Sequence, residues 1–421
     1  MKNVWLINHY GNTMYENQGG RHYWFAKELV NRGYNVTIIC SNQFHEKNEE
    51  ISIEKGLYKI DHKDGIRFIF IKSVSSQGNG GKRVLNMLSF YRNVMKSYWN
   101  WIDDNATRPN YIIGSSVHPL SMVAGIKMSK KLGIPPISEV RDLWPEAIFS
   151  FNKAKENSFM GKMLVKGEKW IYENSKAIIF TKEGDVDYIK EQKWDTASGG
   201  KINLEKCFYI NNGVDLDFFD AEATNNALID EDLDNDKFKV VYAGALRPVN
   251  NVSTLVEAAT YLKDYKDIQI LIYGQGIEFE KLQTLINEQN LTNVKLKGFV
   301  NKRNIPYILK KSSLNILNYS QSQYNWSRGN SSNKLFEYMA AGKPIISNVK
   351  MGYCLLEKYD CGYITQDNTA KALAEEILKV YSLNENEYTR FSENARKAAA
   401  DFDFGVLTSK LEDVLKYVSK R

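Results

Sequence analysis

The stretch SSNKLFEYMAAGKPIIS, residues 331–347, decides the reading of this chain. Ser331, Ser332 and Asn333 are good helix N-caps, Lys334 brings a cation into the first turn, and Leu335 to Ala341 continues as a helix. Gly342 ends that helix at a left-handed position, Lys343-Pro344 turn the chain, and Ile345-Ile346-Ser347 start a buried strand. Free N–H groups at the helix start and the positive end of its dipole face an anion. Ser332, Asn333, Lys334 and Leu335 therefore read as a diphosphate seat. Glu337, about one turn further in, is placed to accept hydrogen bonds from a ribose, leaving the amides to the phosphates.

Working outward, strands and helices alternate along the whole chain, the signature of parallel sheets built from βαβ units. Val4 to Ile7 reads as a first strand, Gly19 to Arg32 as loop plus helix, and Val36 to Cys40 as the next strand. The same beat returns at Val240 to Ala243, Ile268 to Tyr273, Val294 to Leu296, Leu314 to Leu317 and Ile345-Ile346. Between the two series, the acidic run from Asp217 to Asp236 reads as an interdomain linker. The expected architecture is α/β, two doubly wound Rossmann-like domains facing across a cleft, with ligands at the C-terminal strand ends. The domains are 1–212, completed by a C-terminal helix 402–421, and 213–401.

The 421 residues suffice for two separate cores, and 43% hydrophobic content is ordinary for a soluble protein. No stretch reads as a signal peptide or an 18-residue apolar span, so the chain is expected in the cytoplasm. Cys40, Cys207, Cys354 and Cys361 lack paired CxxC spacing and read as buried thiols. The net charge of +6 is uneven. Residues 1–200 carry 28 Lys and Arg against 21 Asp and Glu, a balance of +7, and the remainder carries 28 against 29, or −1. No nucleic-acid module accompanies that basic half, so an anionic membrane surface or a phosphate-bearing acceptor fits it better. Lys82 to Trp101 and Phe159 to Trp170 mix basic and aromatic residues at helical spacing, as helices lying in a headgroup layer do, although packing on the sheet gives the same pattern.

The 331–347 stretch resembles the C-terminal donor-site signature of family-4 retaining glycosyltransferases, which have the GT-B fold. The resemblance continues over most of the chain. Tyr242 to Leu246 with Leu255 to Ala259 is similar to the opening strand and helix of that family's donor domain, Tyr273-Gly274-Gln275-Gly276 to its glycine-rich strand end, and Asn211 to Asp215 to its linker motif. Leu296 to Val300 lies where backbone groups meet the base in that family, which implies base contacts at Gly298 and Phe299. Gly19 and Gly20, after the first strand, let a backbone approach a pyrophosphate with no Cβ in the way. His118, at a strand end, matches a family histidine near the transferred sugar. Glu139 to Glu146 resembles a motif of the subgroup that builds bacterial surface polysaccharides, including proposed N-acetyl-fucosamine transferases. Within it Arg141 and Asp142 could meet the acceptor or pair with each other.

What the resemblance implies is transfer of a sugar from a nucleotide diphosphate, UDP above all, to a polyprenyl-diphosphate-linked saccharide in O-antigen or capsule synthesis. Gly19, Gly20, Gly244, Gly274, Gly298, Phe299, Ser332, Asn333, Leu335 and Glu337 would hold the donor; His118, Arg247 and Lys334 would serve the chemistry. No cofactor or metal is required, and the enzyme would sit peripherally on the cytoplasmic face of the inner membrane.

Two departures stand out. The family's Arg after the opening glycine and its Lys a few residues on are Ala245 and Asn250 here, leaving Arg247 and Lys334 to supply charge. The carboxylate eight positions before Glu337 is Gly329, which points away from a common hexose and toward a deoxy or N-acylated sugar. Asp-x-Asp triplets at 185/187, 215/217 and 232/234 lack the apolar strand-end setting of a metal site. A non-hydrolysing UDP-N-acetylhexosamine 2-epimerase shares the fold but needs acid/base groups beyond Asp142 and Glu146; a non-catalytic subunit of a polysaccharide assembly complex is the other alternative.

Overall fold

Short apolar runs with a helix after almost every one form two sheets in the computed structural model, which describes all residues but 45–48, 76–79, 103–106, 117, 151–154, 323–324 and 421. The chain divides into two compact units, Met1–Asn211 with Leu407–Arg421, and Asn212–Val406.

The first unit runs β1 (Asn3–Ile7), α1 (Asn12–Asn17), α2 (Arg21–Asn31), β2 (Asn35–Ser41), β3 (Tyr58–Lys63), β4 (Ile66–Ile71), α3 (Gly81–Ser97), β5 (Tyr111–Ser115), α4 (Pro119–Leu132), β6 (Pro136–Val140), α5 (Trp144–Ser150), α6 (Phe159–Asn174), β7 (Ala177–Phe180), α7 (Asp185–Glu191) and β8 (Cys207–Tyr209). Its eight strands lie in the order β3-β4-β2-β1-β5-β6-β7-β8. All pairs are parallel except β3 with β4, a hairpin closed by Asp64-Gly65, both at positive φ as a type I′ turn requires. Every residue of β1 is buried, as expected of a strand covered on both faces. The α4 helix packs so closely on β5 that a Cβ at Gly114 would lie 2.7 Å from the Met122 backbone.

The second unit runs α8 (Leu216–Asn225), α9 (Glu231–Asp234), β9 (Phe238–Ala243), α10 (Val252–Ala258), β10 (Ile268–Tyr273), α11 (Phe279–Glu288), β11 (Val294–Gly298), α12 (Ile305–Lys311), β12 (Leu314–Leu317), α13 (Asn333–Ala340), β13 (Ile345–Ser347), α14 (Leu355–Tyr359), β14 (Gly362–Ile364), α15 (Ala370–Tyr381) and α16 (Glu385–Asp401). A last helix, α17 (Phe404–Ser419), crosses the boundary between the units. The sheet order β11-β10-β9-β12-β13-β14 is wholly parallel, with its reversal between β9 and β12. Ligands of doubly wound sheets bind at that reversal, beyond the C-terminal strand ends.

The acidic stretch 217–236 corrects its reading as a linker. Asp215 caps α8 by accepting from the Phe218 amide at 2.7 Å, and Asp230 caps α9. Asp232 meets Lys295 at 2.5 Å and Lys297 at 2.7 Å on β11, and this pairing holds its carboxyl below the usual range against the opposing effect of burial. The acidic residues are caps and ion-pair partners within the second unit.

In the first unit a buried carboxylate joins the loops at the C-terminal strand ends. Glu139, at the end of β6, accepts from Arg21 Nε at 2.8 Å, His22 Nε2 at 2.6 Å and Ser115 Oγ at 2.7 Å. Arg21 spends its remaining nitrogens on the carbonyls of Ile210, at 2.9 Å, and Asn211. Asn8 Nδ2 donates to His22 Nδ1 at 2.9 Å, which leaves the Nε2 proton for Glu139. Burial opposes charge on Glu139, but Arg21 and the hydrogen bonds outweigh it and hold the carboxyl well below its ordinary range. Glu139→Ala should destabilise the protein by about 3–5 kcal/mol, because it strands the Arg21 charge without a counterion. Denaturant unfolding measures this directly, and a loss under about 1 kcal/mol would mean that Arg21 repairs itself on other acceptors.

Candidate functional site

The helix α13 begins as the sequence predicts, with Ser332 at the N-cap, but the Ser332 hydroxyl does not cap it. That oxygen is hydrogen-bonded to the Tyr319 phenol, and the Ser332 amide donates to Asn330 Oδ1 at 2.7 Å. Asn212 Nδ2 holds the Ser331 carbonyl at 2.6 Å. The turn before the helix is thus fixed from three sides; the Leu335 amide donates to the Ser332 carbonyl at 3.2 Å, and the first-turn N–H groups have no side-chain acceptor among the described residues. Gly342 follows the helix at φ +63°, the left-handed stop that its position implied.

Lys334 reaches back over the end of β9. Its ammonium donates to Tyr242 Oη at 3.1 Å and Asn250 Oδ1 at 3.3 Å, and lies 4.9 Å from the Tyr242 ring centre and 4.6 Å from that of Tyr319. Tyr242 and Asn250 are themselves oriented by donating to the Ala245 carbonyl, at 3.0 and 2.6 Å. Burial pushes the Lys334 ammonium down to about 7, and Glu337 one turn along works against that shift. Asn250, which departs from the family pattern in sequence, is a partner of the cation that α13 delivers to the same place. Arg247 is exposed at the start of the 248–250 turn and is not among the hydrogen-bond partners of Lys334.

Gly244, Gly274 and Gly298 sit at the ends of three adjacent strands. The Gly244 amide donates to Tyr273 O at 2.9 Å and that of Gly274 to Gly298 O at 2.8 Å, so both are engaged by backbone carbonyls. What the glycines contribute is clearance: a Cβ at Gly274 would lie 1.8 Å from the Gly244 carbonyl oxygen, and one at Gly244 3.1 Å from Lys334 Nζ. Gly298 has φ +71°, and Phe299 after it is 74% exposed. The Glu337 carboxyl is raised by burial, with Lys302 and Lys334 opposing, and among the described residues it accepts no hydrogen bond. Gly329, where the family pattern has a second carboxylate, has φ +101° and ψ −168°, a conformation that a glutamate avoids.

The first unit places its predicted residues differently. Gly20 is the N-cap of α2 at φ +98°, behind Gly19. His118 is the N-cap of α4 but is fully buried, with its Nε2 2.8 Å from His9 Nδ1 and its Nδ1 without a partner among the described residues. Burial, reinforced by Arg83, pushes His118 down to about 3, so it is neutral and closed off from solvent. Arg141 and Asp142 are not paired with each other. The Arg141 amide donates to Ser116 Oγ at 2.8 Å, and Asp142 is exposed and 3.4 Å from Lys182. Glu139, in the same motif, carries the buried network that the sequence did not reveal. No group of three or more His, Cys, Asp or Glu among the described residues could hold a metal ion, and no described helix is long and apolar enough to cross a membrane.

Residues 225–398 match the family model described as glycosyl transferases group 1. No curated protein sequence matches the chain. Among solved structures the chain is similar to sucrose-phosphate synthase from Thermosynechococcus elongatus, at 17% identity and TM-score 0.70 over 100% of this chain and 99% of that one. It is similar also to Anabaena HepE in complex with UDP, at 15% and 0.67 over 99% and 100%, and to WaaG, a glycosyltransferase involved in lipopolysaccharide biosynthesis, at 13% and 0.63 over 98% and 99%. The chain therefore has the GT-B fold, and the residues that carry β9 to β14 and the Lys334 seat are those similar to the group 1 glycosyl transferase model.

Proposed function

We propose that this protein is a retaining, metal-independent glycosyltransferase that moves a sugar from a UDP-linked donor to a lipid-linked saccharide in bacterial O-antigen or capsule synthesis, working peripherally on the cytoplasmic face of the inner membrane. The observation that carries it is the Lys334 ammonium, held by Tyr242 and Asn250 beside an α13 N-terminus without a side-chain cap. A cation, the positive end of the α13 dipole and Glu337 one turn along fit a nucleoside diphosphate. Structures of similar fold bind UDP and UDP-glucose, and one acts in lipopolysaccharide biosynthesis, which supports the donor and pathway class. Gly298 and the exposed Phe299 are assigned to the base, Leu335 with Ser332 and Asn333 to the phosphates, and Gly19-Gly20 to an anion-binding turn of the first unit. Arg141 and Asp142 are assigned to the acceptor, the conformation of Gly329 favours a deoxy or N-acetylated amino sugar, and the surface-polysaccharide subgroup is retained on the Glu139 to Glu146 motif.

The reaction needs no protein nucleophile. The bond from the sugar anomeric carbon to the diphosphate oxygen breaks, the acceptor oxygen bonds to the same face of that carbon, and the acceptor proton passes to the departing diphosphate. Lys334 and the α13 amides stabilise the charge growing on that diphosphate. His118, neutral and buried, supports the wall of the first unit rather than exchanging protons with solvent, and Arg247 is assigned as a second cation.

Titration of the protein with UDP-, GDP- and ADP-sugars by calorimetry tests the donor class, and no binding to any of them would overturn the reading. Interconversion of UDP-N-acetylhexosamine without acceptor would replace transfer by epimerisation. Lys334→Ala should lower turnover on the order of 10²–10³-fold with the unfolding midpoint kept, since its contact strengthens as the leaving group gains charge; near-normal turnover removes Lys334 from the site. Glu337→Ala should weaken UDP binding by about 10- to 100-fold, the worth of a charged hydrogen bond, and an unchanged affinity contradicts the ribose role.

The depressed Lys334 also sets a pH dependence. Diphosphate binding favours the charged ammonium and raises its pKa from about 7 in the free protein. Donor affinity is then flat below that value and falls by up to about tenfold per pH unit above it, until the bound ammonium titrates. A UDP-sugar, whose diphosphate has no ionisation near neutrality, is the ligand to use, and Lys334→Arg should remove the slope between pH 7 and 9.

A further inference from the structure

The first unit carries a cavity that none of the assigned residues but Asp142 touches. It measures about 370 Å³ and opens between α4, α5 and α6, with walls of Met122, Val123, Trp144, Met163, Trp170 and Ile171. Three charged residues reach its lining, and each is engaged elsewhere: Lys127 Nζ with Tyr91 Oη at 2.7 Å, Asp142 with Lys182, and Glu168 Oε1 with Tyr172 Oη at 2.7 Å. Burial pushes Glu168 up to about 7, which fits a wall poor in charge. A cavity of this size with an almost wholly carbon surface is built to take an apolar ligand.

Its surroundings say which one. Pro119 and Leu120 follow β5, and Asp142 and Trp144 follow β6, so the cavity starts at the C-terminal strand ends. From there the apolar surface continues outward along α6, where Phe159 is 87% exposed and Met160 and Met163 about half exposed. Apart from Met1 and Val74, every exposed large apolar side chain described in this unit lies on α6, on α3, or on the turn just after α3. Lysines interleave them: Lys162 and Lys166 are exposed on α6, and Lys130 of α4 lies 5.6 Å from the Trp170 ring. Apolar walls continued by a helix face that bears exposed lysines complement a ligand with a hydrocarbon chain and an anionic head.

We propose that this α4–α5–α6 cavity binds the isoprenoid chain of the lipid-linked acceptor, the exposed lysines of α6 meeting the anionic head groups. The inference rests on the proposed lipid-linked acceptor and locates the lipid on named side chains. It also explains Gly167, which lines the cavity on α6 in an unstrained helical position with nothing within 4 Å of where a Cβ would project. Filling that space costs the fold nothing, and removing glycine from the helix stabilises it slightly.

The full-length protein is titrated with geranylgeranyl diphosphate below its micelle concentration, with inorganic diphosphate and with UDP. Wild type should bind the isoprenoid at least tenfold more tightly than inorganic diphosphate. Gly167→Trp, which fills the cavity, and Met163→Asp, which charges its mouth, should each lower isoprenoid affinity tenfold or more while UDP affinity and the unfolding midpoint stay unchanged. No gain from the chain over inorganic diphosphate, or wild-type isoprenoid binding by both variants, overturns the proposal. So does self-association of the wild type that Met163→Asp abolishes with lipid binding intact, because a second copy would then be what covers this surface. Loss of nucleotide binding by the wild type would sink the transferase reading instead, and UDP titration separates the two failures.

Discussion

A single ionised carboxylate buried among loops imposes order on the first unit. Glu139 lies at the end of β6, and its partners belong to the start of α2 and the end of β5; through Arg21 and His22 they extend to Ile210, Asn211 and Asn8. Removing any one partner leaves a charge or a polar atom stranded out of water, so these segments have one arrangement or none. That rigidity is paid for at positions where a doubly wound fold otherwise has its most mobile connections. It also explains why Arg21 and His22, at the first turn of α2, are turned inward.

The second unit solves a different problem with clearance. Three adjacent strands, β9, β10 and β11, finish side by side, and Gly244 and Gly274 leave the room in which their backbones stay hydrogen-bonded there. The space above Gly244 is then filled by the Lys334 stem, with its ammonium between two tyrosine rings. Burial pushes that amine down to about 7, with Glu337 opposing the shift.

Much of this was legible in the sequence because it is local. The buried runs of β9, β10, β12 and β13, the N-cap at Ser332 and the stop at Gly342 follow from residues within a turn of one another. What was not legible is long-range. Tyr242 and Asn250 meet Lys334 across 92 and 84 residues, and Glu139 meets Arg21 across 118. Tyr319, which holds both the Ser332 hydroxyl and one face of Lys334, carries no motif at all. The Asp217 to Asp236 run misled because acidic composition looks the same in a linker as in a set of helix caps whose lysine partners lie some sixty residues on, at Lys295 and Lys297. His118 was placed correctly at a strand end, but periodicity says nothing of the His9 ring that buries it.

The departures from the family pattern obey the same logic of compensation. With Asn250 in place of a lysine the donor domain would be short of one cation, yet Asn250 is the acceptor that holds Lys334 from α13, so the charge is relocated and the position keeps a use. Gly329 is different, because its backbone at φ +101° has been committed to a conformation that excludes the missing carboxylate. A glutamate restored there would strain the 326–330 turn before it reached any sugar, and that turn is tied to α13 through Asn330 and Ser332. The loss of the carboxylate is thus written into the path of the chain, and one substitution does not restore it without strain.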